Sequence, residues 1–308
     1  MTAASTRVSV LVPTYNRPHF LEQALRSVLS QPVESVEVLV GDDGVDGGAV
    51  VSALGDSRLR YFRNSPRVGM AQNWNWLLGR ATGDYLALLM DDDIWSPDFL
   101  PTTLHVFSQM SDLGVVFTDH LTRRGNRLTR RCCALAEGRH EEFSTTFLEH
   151  KPVAVSAALF RREAWRDARP LPPTAAADMV LFARMAEAGW PFYYVDRPLM
   201  IYRAHDAMYS ASLDFRDDCV RAWEALTVTD PAARRLLDRQ LADALFARAM
   251  GELRNSRYAR AREDLRRAVA LGPTRTGLAR GALSVSYCGP VARLAQGTAR
   301  RLRQRLST

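Results

Sequence analysis

The chain has 308 residues, 47% hydrophobic and 24% charged, an ordinary globular composition with room for one large domain or two modest ones. Its formal net charge of +7 equals the charge of the seven arginines that follow residue 274, a stretch without acids. The body is therefore close to neutral, which excludes nucleic-acid binding through a basic body surface.

Lys151 is the sole lysine among 41 basic residues. The four cysteines, Cys132, Cys133, Cys219 and Cys288, form no C-x-x-C pair and no zinc-spaced cluster with histidine. Residues 1–7 hold no signal-peptide core, and no stretch reaches transmembrane length. A reduced, cytoplasmic protein is expected.

In chain order, the apolar run Val8 to Pro13 reads as a first strand, followed by the loop Thr14 to Pro18. Helical spacing of Phe20, Leu21, Ala24, Leu25, Val28 and Leu29 predicts a helix over 20–30. Val36 to Val40 is a second strand that delivers Gly41, Asp42, Asp43 and Gly44. A short helix over 49–54, a strand over 59–62 and a helix over 71–80 follow. Tyr85 to Met90 is a fourth, buried strand, and Asp91, Asp92 and Asp93 stand directly behind it. A helix is expected beyond Leu100, a strand over 114–118, a loop or hairpin over 123–140 and a strand over 153–160. A helix over 177–188 precedes two short strands, 192–195 and 199–202.

The character changes near Phe215. Helices are predicted over 219–226, 236–253 and 258–271, and residues 244–273 resemble one tetratricopeptide-type hairpin. The segment 281–306 is a basic helical pattern interrupted at Gly289 and Pro290. The expected organisation is an α/β domain over 1–215 and a helical region with a basic tail over 216–308.

Strands alternating with helices predict an open, mostly parallel sheet whose ligands bind outside the strand carboxyl ends. The loops there are polar. No glycine-rich phosphate loop occurs, so phosphate must be met by side chains and a cation. Adjacent carboxylates at the exit of a buried strand are costly unless neutralised, and carboxylate oxygens suit Mg²⁺ or Mn²⁺. The competing readings are an acidic turn or a helix cap for the triplet, a turn cap for Asp42 or Asp43, and a helix N-cap for Asp178.

Taken together, Val8 to Arg17, Val38 to Gly44, Gly69, Asn73, Gly83 to Tyr85, Leu89 to Trp95, Ala177 with Asp178, and Ile201 to His205 resemble the inverting nucleotide-sugar glycosyltransferases of family 2. The resemblance covers about residues 7–210. It implies a GT-A fold: a Rossmann-like, mostly parallel mixed sheet flanked by helices, here with a C-terminal helical appendage. It also implies a metal-dependent transfer of a hexosyl or N-acetylhexosaminyl group from a nucleoside-diphosphate sugar to an acceptor hydroxyl, with UDP first and dTDP second as the nucleotide.

The implied site is extensive. Pro13, Thr14, Tyr15, Asn16 and Arg17 line the nucleotide pocket with Gly69 and Asn73. Asp42 and Asp43 contact base and ribose. Asp91 and Asp92 face the diphosphate. Asp92, Asp93 and His205 hold Mn²⁺ or Mg²⁺, with Asp92 the nearest ligand. Asp178 is the catalytic base. The chain departs from the family pattern at Met90 and Ala177, where acids are usual, and at Val45, where serine is common.

The implied acceptor is a glycan, a lipid carrier, a small metabolite or a carrier-protein-bound intermediate. The basic tail reads either as a solvated helix or as a contact for anionic lipid at the inner membrane face or for an acidic protein. A nucleotidyltransferase and a non-catalytic nucleotide-sugar binder or scaffold are the competing functions.

Overall fold

The computed structural model describes residues 7–205, 208–212, 214–272, 279, 282, 283 and 286. Two compact units divide the chain, Met1–Met208 and Tyr209–Thr308.

The first unit begins with β1 (Val8–Thr14), α1 (Pro18–Leu29), β2 (Val36–Asp42), α2 (Gly47–Leu54), β3 (Leu59–Arg63), α3 (Met70–Leu78) and β4 (Tyr85–Leu88). Every residue of β1 and β2 is buried, as strands covered on both faces must be. Pro18 starts α1 ahead of its apolar stripe, because proline's fixed φ suits the first helical turn. Then follow β5 (Asp93–Trp95), α4 (Phe99–Gln109), β6 (Val115–Arg124), β7 (Arg127–Arg131), β8 (Gly138–His140), α5 (Phe143–His150), β9 (Ala158–Arg161), α6 (Arg162–Ala168), α7 (Ala177–Glu187) and β10 (Phe192–Arg203).

These strands form one mixed sheet in the order β3-β2-β1-β4-β9-β6-β10-β5, with β7 beside β6 and β8 beside β10. β3, β2, β1 and β4 run parallel. β9 runs against both β4 and β6, and β10 runs parallel to β6. The chain reverses direction across the sheet between β1 and β4, the crevice where open α/β sheets take ligands. One apolar layer includes Val10, Leu21, Leu25, Val38, Phe99 and Leu159. Elsewhere Phe143 stacks on Phe192 at 4.2 Å.

Two expectations change, and a third, left open between a loop and a hairpin, is resolved. The acids do not simply end a strand: β4 stops at Leu88, and Asp93 opens β5, paired with Tyr202 of β10. The two short strands over 192–202 are one strand, β10, with register shifts between Val195 and Met200. The region 123–140 resolves into the β6–β7 hairpin and β8.

The second unit holds α8 (Asp214–Glu224), α9 (Pro231–Arg254) and α10 (Tyr258–Leu271). Asp230 caps α9 by accepting from the Ala233 amide at 2.6 Å. Ala249 and Leu253 of α9 pack with Ala261 and Leu265 of α10. Arg248 ties them through Asp264 at 2.7 Å. The basic pattern over 281–306 lies outside the described residues, apart from 282, 283 and 286. Among the described residues no helix is long and apolar enough to cross a membrane.

One buried acid anchors the amino-terminal edge of the sheet. Glu37 accepts from Ser9 Oγ at 2.6 Å, from the Thr82 amide at 2.7 Å and from Thr82 Oγ1 at 2.6 Å. Burial pushes its pKa up, but these hydrogen bonds and the Arg7 charge outweigh burial and hold it below its ordinary 4.5. A lowered folded pKa gives stability that is present above the ordinary value and fades as pH falls through the folded one. Glu37→Gln is expected to lose about 1–3 kcal/mol at pH 7. The gap to wild type in urea unfolding should narrow below about pH 4.

Candidate functional site

Parallel register places Thr14 of β1 beside Asp42 of β2, so two polar loops leave the sheet side by side. Asp42 accepts from the Gly44 amide at 2.7 Å, the Gly47 amide at 3.0 Å and Tyr61 Oη at 2.9 Å. Burial and Asp42 together push the Tyr61 phenol up to about 12. Asp43 accepts from Asn64 Nδ2 at 2.7 Å and the Gly69 amide at 2.8 Å. Gly69 makes that turn at φ 84°, a conformation that favours glycine. Asn73 on α3 donates to the Gly41 carbonyl at 2.7 Å. Asn16 holds the left-handed region at φ 53°, and its Oδ1 accepts from the Val45 amide at 3.3 Å. A side chain at Gly44 would meet that Oδ1 at 2.1 Å. Tyr15 is exposed, with the Arg67 guanidinium 4.0 Å from its ring centre.

The acidic turn lies across the β1–β4 crevice. Asp91 accepts from Thr14 Oγ1 at 2.8 Å and from Arg17 at 3.2 Å. The same Arg17 nitrogen donates to Asp92 at 2.7 Å. His205 Nε2 lies 3.2 Å from Asp92 Oδ2, and its ring stacks on Phe20 at 4.8 Å. Burial, and after it the Asp92 charge, push Asp91 up to about 6, against the pull of Arg17 and Thr14. Asp93 is buried with one oxygen unpartnered. Burial and Asp92 push it up to about 8, and Ser156 and Arg203 offset only part of that.

Sequence reasoning missed the residues that hold this turn. Arg203 donates to the backbone carbonyls of Asp92 and, at 3.0 Å, Asp91. It also donates to the Phe20 carbonyl at 3.1 Å and to Gln23. Its place two residues before His205 was the available signal. Ser156 Oγ accepts from the Met90 amide at 3.1 Å, and the Ser156 carbonyl accepts from the Trp95 indole at 2.6 Å. Trp95 is thus a buried packing residue. Tyr61 and Asn64 were likewise unforeseen.

Of the three expected metal ligands, Asp92 and His205 come together, whereas Asp93 is drawn into β5. Among the described residues no three acidic, histidine or cysteine side chains cluster as a cation cage. A carboxylate oxygen beside an imidazole nitrogen still fits Mg²⁺ or Mn²⁺, which bind through few protein groups plus water and phosphate oxygens.

Asp178 occupies the first turn of α7, behind the N-cap Ala176, so it is not the cap residue. The loop before it is tied to α3, with Asn75 Nδ2 donating to the Leu171 carbonyl at 3.1 Å. Burial pushes Asp178 up to about 6, against the pull of the Met179 amide.

A polar pocket at the switch point of such a sheet defines a ligand-binding α/β protein. The family model described as Glycosyl transferase family 2 matches residues 9–168, and the chain belongs to that family. It is 33% identical over 131 residues to the GalNAc(5)-diNAcBac-PP-undecaprenol beta-1,3-glucosyltransferase of Campylobacter jejuni, covering 40% of this chain and 41% of that protein. It is 36% identical over 90 residues to the UDP-Glc:alpha-D-GlcNAc-diphosphoundecaprenol beta-1,3-glucosyltransferase WfgD of Escherichia coli, covering 29% of this chain and 36% of that protein. The matches thus span well under half the length of these curated relatives.

Among solved structures, S. aureus TarS 1-349 in complex with UDP-GlcNAc superposes with a TM-score of 0.72 at 15% identity, covering 94% of this chain and 92% of that one. The mannosyltransferase PcManGT of Pyrobaculum calidifontis, in complex with GDP-Man and Mn2+, gives 0.58 at 18% identity, covering 94% and 86%. The GT-A fold expected from the sequence stands.

Arg17 bridges Asp91 and Asp92, so Arg17→Ala leaves two neighbouring carboxylates without their shared cation. Arg17→Ala is expected to lower the unfolding free energy in urea by about 1–3 kcal/mol.

Proposed function

We propose that the protein is a metal-dependent inverting glycosyltransferase that uses a nucleoside-diphosphate sugar, UDP-linked first and dTDP-linked second. The observation that carries this reading is the meeting of two acidic loops at one crevice: Asp42 and Asp43 beside β1, and Asp91 and Asp92 across it. The domain over 1–215 is proposed as the catalytic part and 216–308 as its helical appendage. A reduced, cytoplasmic setting is proposed with it, the basic tail being either a solvated helix or a contact for anionic lipid or an acidic protein.

Residues from Pro13 to Arg17, with Gly69, Asn73, Asp42 and Asp43, would hold the nucleotide. Asp92 and His205 would hold Mn²⁺ or Mg²⁺, which supplies Lewis-acid stabilisation of the diphosphate charge. Arg17 adds a fixed cation on the same side. Asp178 accepts the proton of the acceptor hydroxyl as its oxygen attacks the anomeric carbon. The bond from that carbon to the diphosphate oxygen breaks, the new glycosidic bond forms, and the nucleoside diphosphate leaves. A single displacement inverts the centre and needs no enzyme nucleophile. The relatives named above act on undecaprenyl-diphosphate-linked sugars, which supports a glycan or lipid-linked acceptor. A non-catalytic binder would produce no free nucleoside diphosphate.

Thermal melts with UDP, dTDP and GDP, each with and without Mn²⁺, test the donor assignment. The matching ligand at about 100 times its Kd should stabilise by roughly 2.7 kcal/mol. No shift with any nucleotide overturns the reading. Asp178→Asn is expected to cut kcat by about 10²–10⁴-fold while keeping the donor-induced shift. Asp92→Asn should lose turnover and the Mn²⁺-dependent part of the shift.

The pKa of Asp178 sets the pH dependence. A base pushed up to about 6 must be deprotonated to act, so kcat/KM should climb with pH and level off above that value. Stability moves the other way. A carboxyl with a raised folded pKa stabilises the fold below its ordinary value and loses that contribution as pH rises through the folded one. Asp178→Asn should therefore melt higher than wild type at pH 8, with an advantage that shrinks steadily as pH falls from about 6 toward the ordinary carboxylate value.

A further inference from the structure

A cavity of about 470 Å³ opens between β6, the β6–β7 hairpin, the segment after α5 and the end of β10. It holds the share of liquid volume of about fifteen waters, so it is larger than a lone anion requires. Two permanent cations reach it from separate parts of the chain, Arg131 at the end of β7 and Lys151 behind α5. Lys151 holds the left-handed backbone region at φ 47°, uncommon for a residue with a side chain. His120 lines the cavity opposite Arg131 in the β6–β7 ladder. Its pKa is held low by burial and by Arg131.

The acid that lines the cavity, Asp119, is already covered. It accepts from Arg130 at 2.9 Å, from Tyr194 Oη at 2.8 Å and from the Cys133 amide at 2.8 Å. The other permanently charged side chains of the lining, Arg131 and Lys151, are both positive, which suits an anion with several oxygens.

Position decides whose anion it is. In the sheet order, Asp42 and Asp43 sit on the β2 side of the acidic turn, and this cavity sits on the β6 and β10 side. Tyr202 lines the cavity and pairs with Asp93. Ala154 lines it two residues before Ser156, the residue that holds the Met90 amide. The cavity therefore borders the acidic turn on the flank away from the nucleotide loops. We propose that it binds a phosphate group carried by the acceptor, seated between Arg131 and Lys151. This inference rests on the glycosyltransferase reading.

Cys132 and Cys133 line the same cavity and are free thiols, so they report its occupancy directly. The test is iodoacetamide alkylation of the full chain with UDP and Mn²⁺ present, read peptide by peptide, with Cys219 as the internal reference. Geranyl phosphate should slow alkylation of Cys132 and Cys133 and leave Cys219 unchanged, at constant ionic strength. Arg131 and Lys151 are exposed, so their variants should fold. Arg131→Gln and Lys151→Gln should each raise the half-protecting concentration by about tenfold.

Absence of protection overturns the proposal, as does equal protection by sodium chloride or in the double variant. Stronger protection by inorganic phosphate than by the ester would make the cavity a free-anion site and overturn the acceptor assignment. Protection is read without turnover. A chain that binds no nucleotide sinks the transferase reading, whereas a chain that binds UDP but gains no protection sinks this one.

Discussion

The repulsion among three consecutive carboxylates is the constraint around which the first unit is arranged. Asp91 and Asp93 are buried, and both titrate well above an ordinary aspartate. Two arginines meet that cost differently. Arg17 takes the carboxylates of Asp91 and Asp92. Arg203 takes the backbone carbonyls behind them. Charge is thus balanced on one side while the peptide path is fixed on the other, and Asp92 stays at the surface of the turn. A less rigid backbone would let the acids move apart and dissolve the pocket they share with Thr14.

Strand polarity distributes the remaining groups around that turn. The parallel set β3-β2-β1-β4 brings the Asp42 and Asp43 loop to one flank. The reversed strand β9 lies between β4 and β6 and runs against both. β10 then returns Arg203 and His205 to the turn from far along the sequence.

Much of this was legible in the sequence, for reasons that differ by element. β1, β2 and β4 are predominantly apolar runs that end in polar loops, with Ser9 and Glu37 the interior polar exceptions, so burial marked them. The residues expected to hold a nucleotide fell in those loops. β5 was not legible: a three-residue strand that opens on Asp93 exists because β10 pairs with it, and tertiary pairing overrides local preference. β10 looked like two strands because Asp196, Arg197 and Pro198 interrupt its pattern, and a bulge absorbs them. α5 and α6 are eight and seven residues long, too short to announce themselves without the packing that stabilises them. Arg203 escaped notice because its partners are carbonyl oxygens, which no side-chain motif records.

The clasp of Arg203 on the acidic turn also sets an order of assembly. Its bonds to the Asp91 and Asp92 carbonyls span 112 and 111 positions of sequence. Chains fold from the amino terminus as they are made, so β1 to β4 can form a sheet long before residue 203 leaves the ribosome. During that interval the acids lack Arg203 and the β10 strand that Asp93 needs. The family-matching segment, residues 9–168, ends before either arrives. A nascent chain halted there would hold the loops after β1 and β2 in place yet have no closed acidic turn, which would be completed late, with the emergence of β10.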